Sequence, residues 1–372
     1  MLNKPMSKPR QKGKVQGLCF SAAFNEANGY GEMSKCFLRA MNNLLPLSIE
    51  TESKFRSTVA KMGMSSKLVG SYLLPQHRPD SYFSIQPIHP DMRPPIGTKN
   101  AIYTMFESSK VHMDWANVLR RYDLILTPNS YNAATLGEQT GVPCHATFLG
   151  CDQYLYRCDV DNLKRRLGKK KYVFTFGAAG HLAHGRSRKG FDRIVDWFQS
   201  AFPDEPNVRL RLKANEWGEN NFASEDNRIS FVESNMTNEQ CAEWLRSIDC
   251  YIDGSTFEGW GMWTHSAMAT GRPVIGTNYS ARSDYFRFGN HIPIGYTIEP
   301  AKDIYVGLGH WAMPDKFDAV QALRWAFVNR KQCVEIGRAA YETTKHLTWD
   351  AAARNIIKYL RQYDIIGNRV LL

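Results

Sequence analysis

At 372 residues the chain is too long for one small core, and two α/β domains of about 150–190 residues are expected. A hydrophobic content of 43% with 22% charged residues is ordinary for a soluble globular protein, and no apolar run approaches the roughly 18 residues of a membrane helix, so no transmembrane segment is expected. The net charge of +11 is the informative number: it points to an anionic partner, whether DNA, an anionic membrane surface or a phosphorylated substrate.

The first sixteen residues hold Lys4, Lys8, Arg10, Lys12 and Lys14 and no acid, and read as a basic tail. Residues 1–165 carry 20 Lys and Arg against 13 Asp and Glu, so most of the excess lies in that half. The eight cysteines form no C-x-x-C pair and no His stands at zinc-site spacing. Reduced thiols in the cytoplasm are expected, with no metal and no required cofactor.

In chain order, Val15 to Ala23 reads as a strand, NEANGYGE as a loop, and MSKCFLRAMNNL as a helix with apolar spacing at Met33, Phe37, Leu38 and Met41. Gly29 and Gly31, flanking Tyr30, permit either close approach to a ligand or a plain tight turn. Lys67 to Leu74 suggests a second strand, and Pro75 to Pro95 a loop. NAIYTMF and LILTPN read as further strands, and SYNAATLGEQTGVP as a helix stopped by Gly141 and Pro143. HATFLGCD again looks like a strand. This alternation predicts a doubly wound parallel sheet over residues 17–165. Glu107 and His112, after the strand AIYTMF, are candidates to face an acceptor or to sit on the surface. Trp115 and Tyr122 are read as core.

Residues 159–172 break the pattern and read as a linker, with Asp159 and Asp161 in a solvated charge cluster rather than a metal site. Alternation restarts at YVFTFGAAG and continues through RSRKGFDRIVDWFQSAF, NVRLRLKAN, NRISFVES, NEQCAEWLRSID, CYIDGS and PVIGTN, predicting a second doubly wound domain over 170–345. The tail from Phe317 is almost all helical. Two such domains leave a cleft at the carboxyl ends of their strands.

The chemistry concentrates in EGWGMWTHSAMATGRPVIGTN, residues 258–278. Glu258 follows a strand, and Gly259, Trp260, Gly261 and Met262 lead into a short helix from Thr264 to Thr270 that Gly271 ends. Its N–H groups favour a phosphate, while Glu258 either accepts hydrogen bonds from sugar hydroxyls or caps the helix. That pairing suits a nucleotide sugar. Arg186, Arg188 and Lys189 cluster before another helix, where cations oppose the dipole unless an anion joins them.

Taken in order, these stretches resemble retaining glycosyltransferases of the GT-B fold, the large family-4 type (glycosyl transferases group 1). That family's signature runs roughly E-G-F-G-x-x-x-x-E-A-M-A-x-G-x-P-V-I-x-T; here it is EGWGMWTHSAMATGRPVIGT. RKGFDRIVDWFQSAF, TPNSYNAATLGEQTGVPCHATFLGCD and NGYGEMSKCFLRAM match further segments, and GHWAMPD and LTWDAAA resemble late helices. The resemblance implies two Rossmann-like domains, with the helix of residues 346–372 returning to the first. It implies Glu258 at the donor sugar, Arg188 and Lys189 at the diphosphate, and Gly29 to Gly31 lining the cleft. It also implies a UDP- or GDP-linked donor, and front-face transfer in which the leaving phosphate helps deprotonate the acceptor. Where the family has a second Glu eight residues on, this chain has Ser266; Asn278, Tyr279 or Ser280 are then expected to assist, or the protein binds sugar nucleotides without turnover. The basic first half suggests a polyanionic acceptor such as hydroxymethylated DNA bases, with a lipid-linked saccharide or other glycan as the alternative.

Overall fold

The computed structural model describes residues 18–24, 29–51, 80–180, 186–215 and 224–367. The basic tail and the strand expected at Lys67–Leu74 lie outside them. Two six-stranded sheets, each parallel throughout, organise the chain.

The first sheet contains β1 (Leu18–Ala22), β2 (Leu47–Glu50), β3 (Ser81–Ile85), β4 (Lys99–Tyr103), β5 (Leu124–Thr127) and β6 (Cys144–Ala146), in the order β2-β1-β3-β4-β5-β6. Helices α1 (Gly29–Asn42), α2 (Met113–Leu119) and α3 (Ser130–Thr140) connect it. β3 corrects the loop expected over Pro75–Pro95. SYFSI is buried along four of its five positions and lies between β1 and β4, so tertiary burial makes a strand in a Pro-rich neighbourhood.

Residues 159–172 are likewise not a bare linker. They hold α4 (Val160–Leu167), whose Val160, Leu163 and Leu167 are buried in the core of the second sheet. Asp159 is bonded at 2.8 Å to Arg272, so it serves a buried guanidinium rather than solvent.

The second sheet contains β7 (Phe174–Gly180), β8 (Val208–Ala214), β9 (Ile229–Glu233), β10 (Cys250–Asp253), β11 (Val274–Thr277) and β12 (Ile292–Ile294). Its order is β12-β11-β10-β7-β8-β9. The chain winds outward from β7 through β8 and β9, then returns to the other side of β7 at β10. The order therefore reverses between β7 and β10, and a crevice opens beyond their carboxyl ends.

The helices of this half are α5 (Arg186–Lys189), α6 (Phe191–Ala201), α7 (Asn238–Ser247) and α8 (Met262–Ala269). They are followed by α9 (Lys316–Val328), α10 (Arg330–Thr344) and α11 (Trp349–Gln362). The stretch GHWAMPD, expected among late helices, instead contains β14 (His310–Pro314), which pairs antiparallel with β13 (Tyr296–Pro300). HWAMP has no helical spacing, and its Trp311 is buried against Phe257 and Ala301.

α11 returns to the first domain, where Trp349 meets the Phe37 ring edge-on at 5.2 Å. The two crossings between domains touch. Cys151 N–H donates to Leu347 O at 2.9 Å, and a Cβ on Gly150 would collide with the Thr348–Trp349 backbone.

Candidate functional site

β7 and β10 deliver the second domain's charged groups to the crevice. The basic residues expected just before a helix form a helical turn of their own, set apart by a break at Gly190, whose φ of 73° needs glycine; a Cβ there would lie 2.7 Å from Gly254 O. The break leaves α5 as one turn at the carboxyl end of β10. Arg188 O accepts from Thr256 N–H at 2.9 Å, and Arg188 Nη1 donates to Phe257 O at 2.9 Å.

Glu258 sits at the centre, 5% exposed. Lys189 Nζ donates to its Oε1 at 2.5 Å, and Arg188 Nη1 lies 3.7 Å from Oε2. Burial by itself would raise the Glu258 carboxyl, but Lys189 and then Arg188 outweigh it and hold it at about 2. Arg188 is disfavoured by burial, yet Glu107 and Glu258 raise it above the usual guanidinium value. Glu258 and Arg188 are therefore both ionised at neutral pH.

The backbone beneath is fixed. Ser280, at φ 53°, accepts from Glu258 N–H at 3.2 Å and donates to Glu258 O at 3.1 Å. Asp253, at the end of β10, accepts from Thr264 at 2.8 Å and pairs with buried Arg282 at 3.2 Å.

Gly261, at φ 83°, precedes α8, and no side chain caps that helix. Its first residue, Met262, lies against Gly29 at the start of α1: a Cβ on Gly29 would stand 3.6 Å from Met262 Sδ. Two helix N-termini, one from each domain, thus meet at the crevice beside the charged cluster. Their N–H groups and dipoles favour an anion there.

The first domain contributes Glu107 directly. Its carboxylate accepts from Tyr305 OH at 2.7 Å and lies 3.9 Å from Arg188, and its carbonyl accepts from Trp311 Nε1 at 2.8 Å. Tyr30 OH accepts from Met105 N–H at 3.0 Å, two residues before Glu107.

Not every expected residue reaches the crevice. Trp260 is 1% exposed and packs against Phe148, His265 and Tyr285, so burial excludes its ring from a donor; its carbonyl accepts from Tyr285 OH at 2.8 Å. His112 caps α2 through Asp114 N–H at 3.3 Å, exposed and tilted against Trp115, and touches none of the charged groups. Tyr122 is buried and Trp115 packs on Phe106. Asn278 is exposed. Arg186 begins α5, and its side chain lies outside the described residues. Ser266 is half-buried, its Oγ 3.8 Å from Cys151 Sγ. Burial pushes His265 down to about 3, and its ring is packed against Trp260 and Tyr285. Among the described residues no cluster of His, Cys, Asp or Glu could hold a metal ion.

Sequence reasoning missed Tyr305 and Asn129. Asn129, the N-cap of α3, donates from Nδ2 to Gly259 O, 130 positions away. No local pattern carries such a pairing.

Two facing parallel α/β units with a charged crevice at a switch point define a two-domain, doubly wound architecture. Residues 173–303 match the family described as glycosyl transferases group 1, so the second domain carries the resemblance read from EGWG and RKG. The lipopolysaccharide core biosynthesis mannosyltransferase LpsB of Rhizobium meliloti (strain 1021) is 28% identical over 198 residues. The match covers 49% of this chain and 53% of that protein, so the chain spans about half the length of the curated relative it matches. Anabaena HepE, solved with UDP and glucose, superposes with a TM-score of 0.66 at 14% identity, covering 93% of this chain and 100% of that one. Sucrose-phosphate synthase of Thermosynechococcus elongatus gives 0.67 at 12% identity, over 93% and 98%. The fold is GT-B, as expected from the sequence.

Proposed function

We propose that the chain is a nucleotide-sugar-dependent glycosyltransferase that retains anomeric configuration. The observation that carries this reading is the Glu258 carboxylate clamped between Lys189 and Arg188 at the β7/β10 switch point, beside two converging helix N-termini. A bound UDP or GDP moiety places its diphosphate against Lys189, Arg188 and the start of α8, while Glu258 accepts from sugar hydroxyls. As the anomeric C–O bond to phosphate breaks, these cations stabilise the departing charge. The acceptor oxygen bonds to the same face of the sugar, and its proton passes to the leaving phosphate. The residues supply positioning and charge; no second carboxylate nucleophile is required.

Glu107, held by Tyr305 opposite Arg188, faces the crevice from the acceptor side. The acceptor is a hydroxyl of a saccharide, a reading supported by the LpsB relative's name. The basic first half admits a phosphate-bearing glycan or, as the competing case, hydroxymethylated DNA. A reading without turnover is favoured only by Ser266 in place of the family's second Glu.

The test is incubation with UDP- and GDP-sugars in the absence of acceptor. Slow release of free sugar from one donor is expected; nucleotide binding without any release would leave a binding protein. Filter binding to duplex DNA at low salt decides the acceptor, since a nucleic-acid substrate must bind there and weaken steeply as salt rises.

A further inference from the structure

We infer that residues 129–132, the turn NSYN entering α3, are an interdomain clasp, and that Asn129 is a positioning residue for the Glu258 loop. Three successive residues of this turn reach the second domain. Asn129 Nδ2 donates to Gly259 O, Ser130 N–H donates to Asp284 Oδ2 at 2.7 Å, and Tyr131 OH meets Tyr279 OH at 3.1 Å. Phe257 meets the rings of Tyr131 and Tyr279 edge to face, and those two rings lie tilted against each other. The fourth, Asn132, turns back into its own domain: its Oδ1 accepts from Phe106 N–H at 3.0 Å and its Nδ2 donates to Phe106 O at 3.0 Å.

The two amides are joined. Asn132 N–H donates to Asn129 Oδ1 at 2.7 Å, and Asn129 Nδ2 reaches Asn132 Oδ1 at 3.2 Å. Both side chains are buried, at 0% and 1% exposure. Gly259 adjoins Glu258, and Phe106 adjoins Glu107. One rigid amide pair therefore fixes the residue next to each carboxylate, from opposite sides of the crevice. The carboxamide does both jobs at once, giving an N–H donor to Gly259 O and an acceptor to Asn132 N–H, whereas a carboxylate has no donor to give. An aspartate at 129 would set an anionic oxygen against the Gly259 carbonyl, close to Glu258. Gly259 has no side chain, and a Cβ there would collide with Met105, so its loop lies close against the first domain beside this bond.

The proposal rests on the reading of Glu258 as a donor contact for its kinetic consequence, but the clasp itself is geometric. The experiment uses the full chain. Asn129→Asp is measured for UDP and GDP binding by calorimetry, for sugar release from the donor the wild type hydrolyses, and for radius of gyration by small-angle X-ray scattering. Expected are a larger radius of gyration, kcat lower by about tenfold or more, the factor carried by one buried hydrogen bond, and a nucleotide dissociation constant within about threefold of wild type. Wild-type scattering together with wild-type kcat overturns the clasp. Loss of nucleotide binding with unchanged scattering also overturns it, by making Asn129 a donor contact.

Ser130→Pro covers the case in which Asn129→Asp does not fold. Proline is accepted at the first helical position, and this change removes only the N–H bonded to Asp284. It must shift the scattering in the same direction, and Asp284→Ala added to it must shift it no further. If the wild type binds neither nucleotide, the reading of the site fails, while the scattering arms still decide the clasp.

Discussion

Replacing Lys189 by Met removes the ammonium while keeping most of the stem. In the wild type the Glu258 carboxyl is held from an ordinary 4.5 to about 2, against its burial, and Lys189 is the larger of the two charges that do so. A displacement of that size corresponds to about 3 kcal/mol favouring the folded ion. Since the folded value is depressed, this contribution is fully present above pH 4.5 and is lost as pH falls toward 2. With Lys189 gone, burial lifts the carboxyl again, and Arg188, at 3.7 Å, with the weaker help of a Ser255 hydrogen bond, opposes it. Lys189→Met is therefore expected to be less stable by about 3 kcal/mol at pH 7, a typical cost of orphaning one partner of a buried pair. The gap should close between pH 4.5 and 2. Urea unfolding followed by tryptophan fluorescence from pH 7 to 3 measures it. Saturating UDP or GDP, at about 100 times its dissociation constant, should add about 2.7 kcal/mol to the wild type and much less to the variant. A stability gap that stays constant from pH 7 to 3 would refute the argument, because Lys189 would then not be acting on the Glu258 charge.

Glu258→Gln should lower donor turnover by about a hundredfold or more, with nucleotide affinity changed severalfold at most, as read by sugar release beside calorimetry. Ser266→Glu should tighten UDP or GDP binding by about tenfold through one charge-assisted bond to the ribose; unchanged affinity would put the ribose elsewhere. Gly261→Ala should cost about 2 kcal/mol, since the backbone has φ 83° and the new Cβ would stand 2.8 Å from the Tyr285 hydroxyl; differential scanning calorimetry would register it. Glu107→Gln should weaken the tie to Arg188 and slow transfer to an acceptor more than donor hydrolysis, a comparison of two rates on one preparation.

The alternation of strands and helices, and the two stretches around Glu258 and Lys189, were readable because each is local: a strand end, glycines and a helix start lie within a few residues. β3 was not readable, because SYFSI gains its strand character from lying between β1 and β4 rather than from its flanks. β14 was mistaken for part of a helix for a similar reason, as HWAMP is defined by pairing with β13. Trp260 illustrates a different gap. Its place in the motif put it near the donor, but only the fold shows its ring turned inward against Phe148 and Tyr285. Asn129 and Tyr305 act on partners 130 and 198 positions distant, and short-range spacing holds no record of such bonds.

The touching crossings at Gly150 and Trp349 set how the two halves can move. Two connections that touch at one edge place the pivot of any relative movement there, like the pin of a clamshell. Displacement is smallest at Cys151 and Leu347 and grows with distance from them. A larger residue at Gly150 would wedge the pin itself, changing the resting angle of the whole molecule without touching any charged group in the crevice.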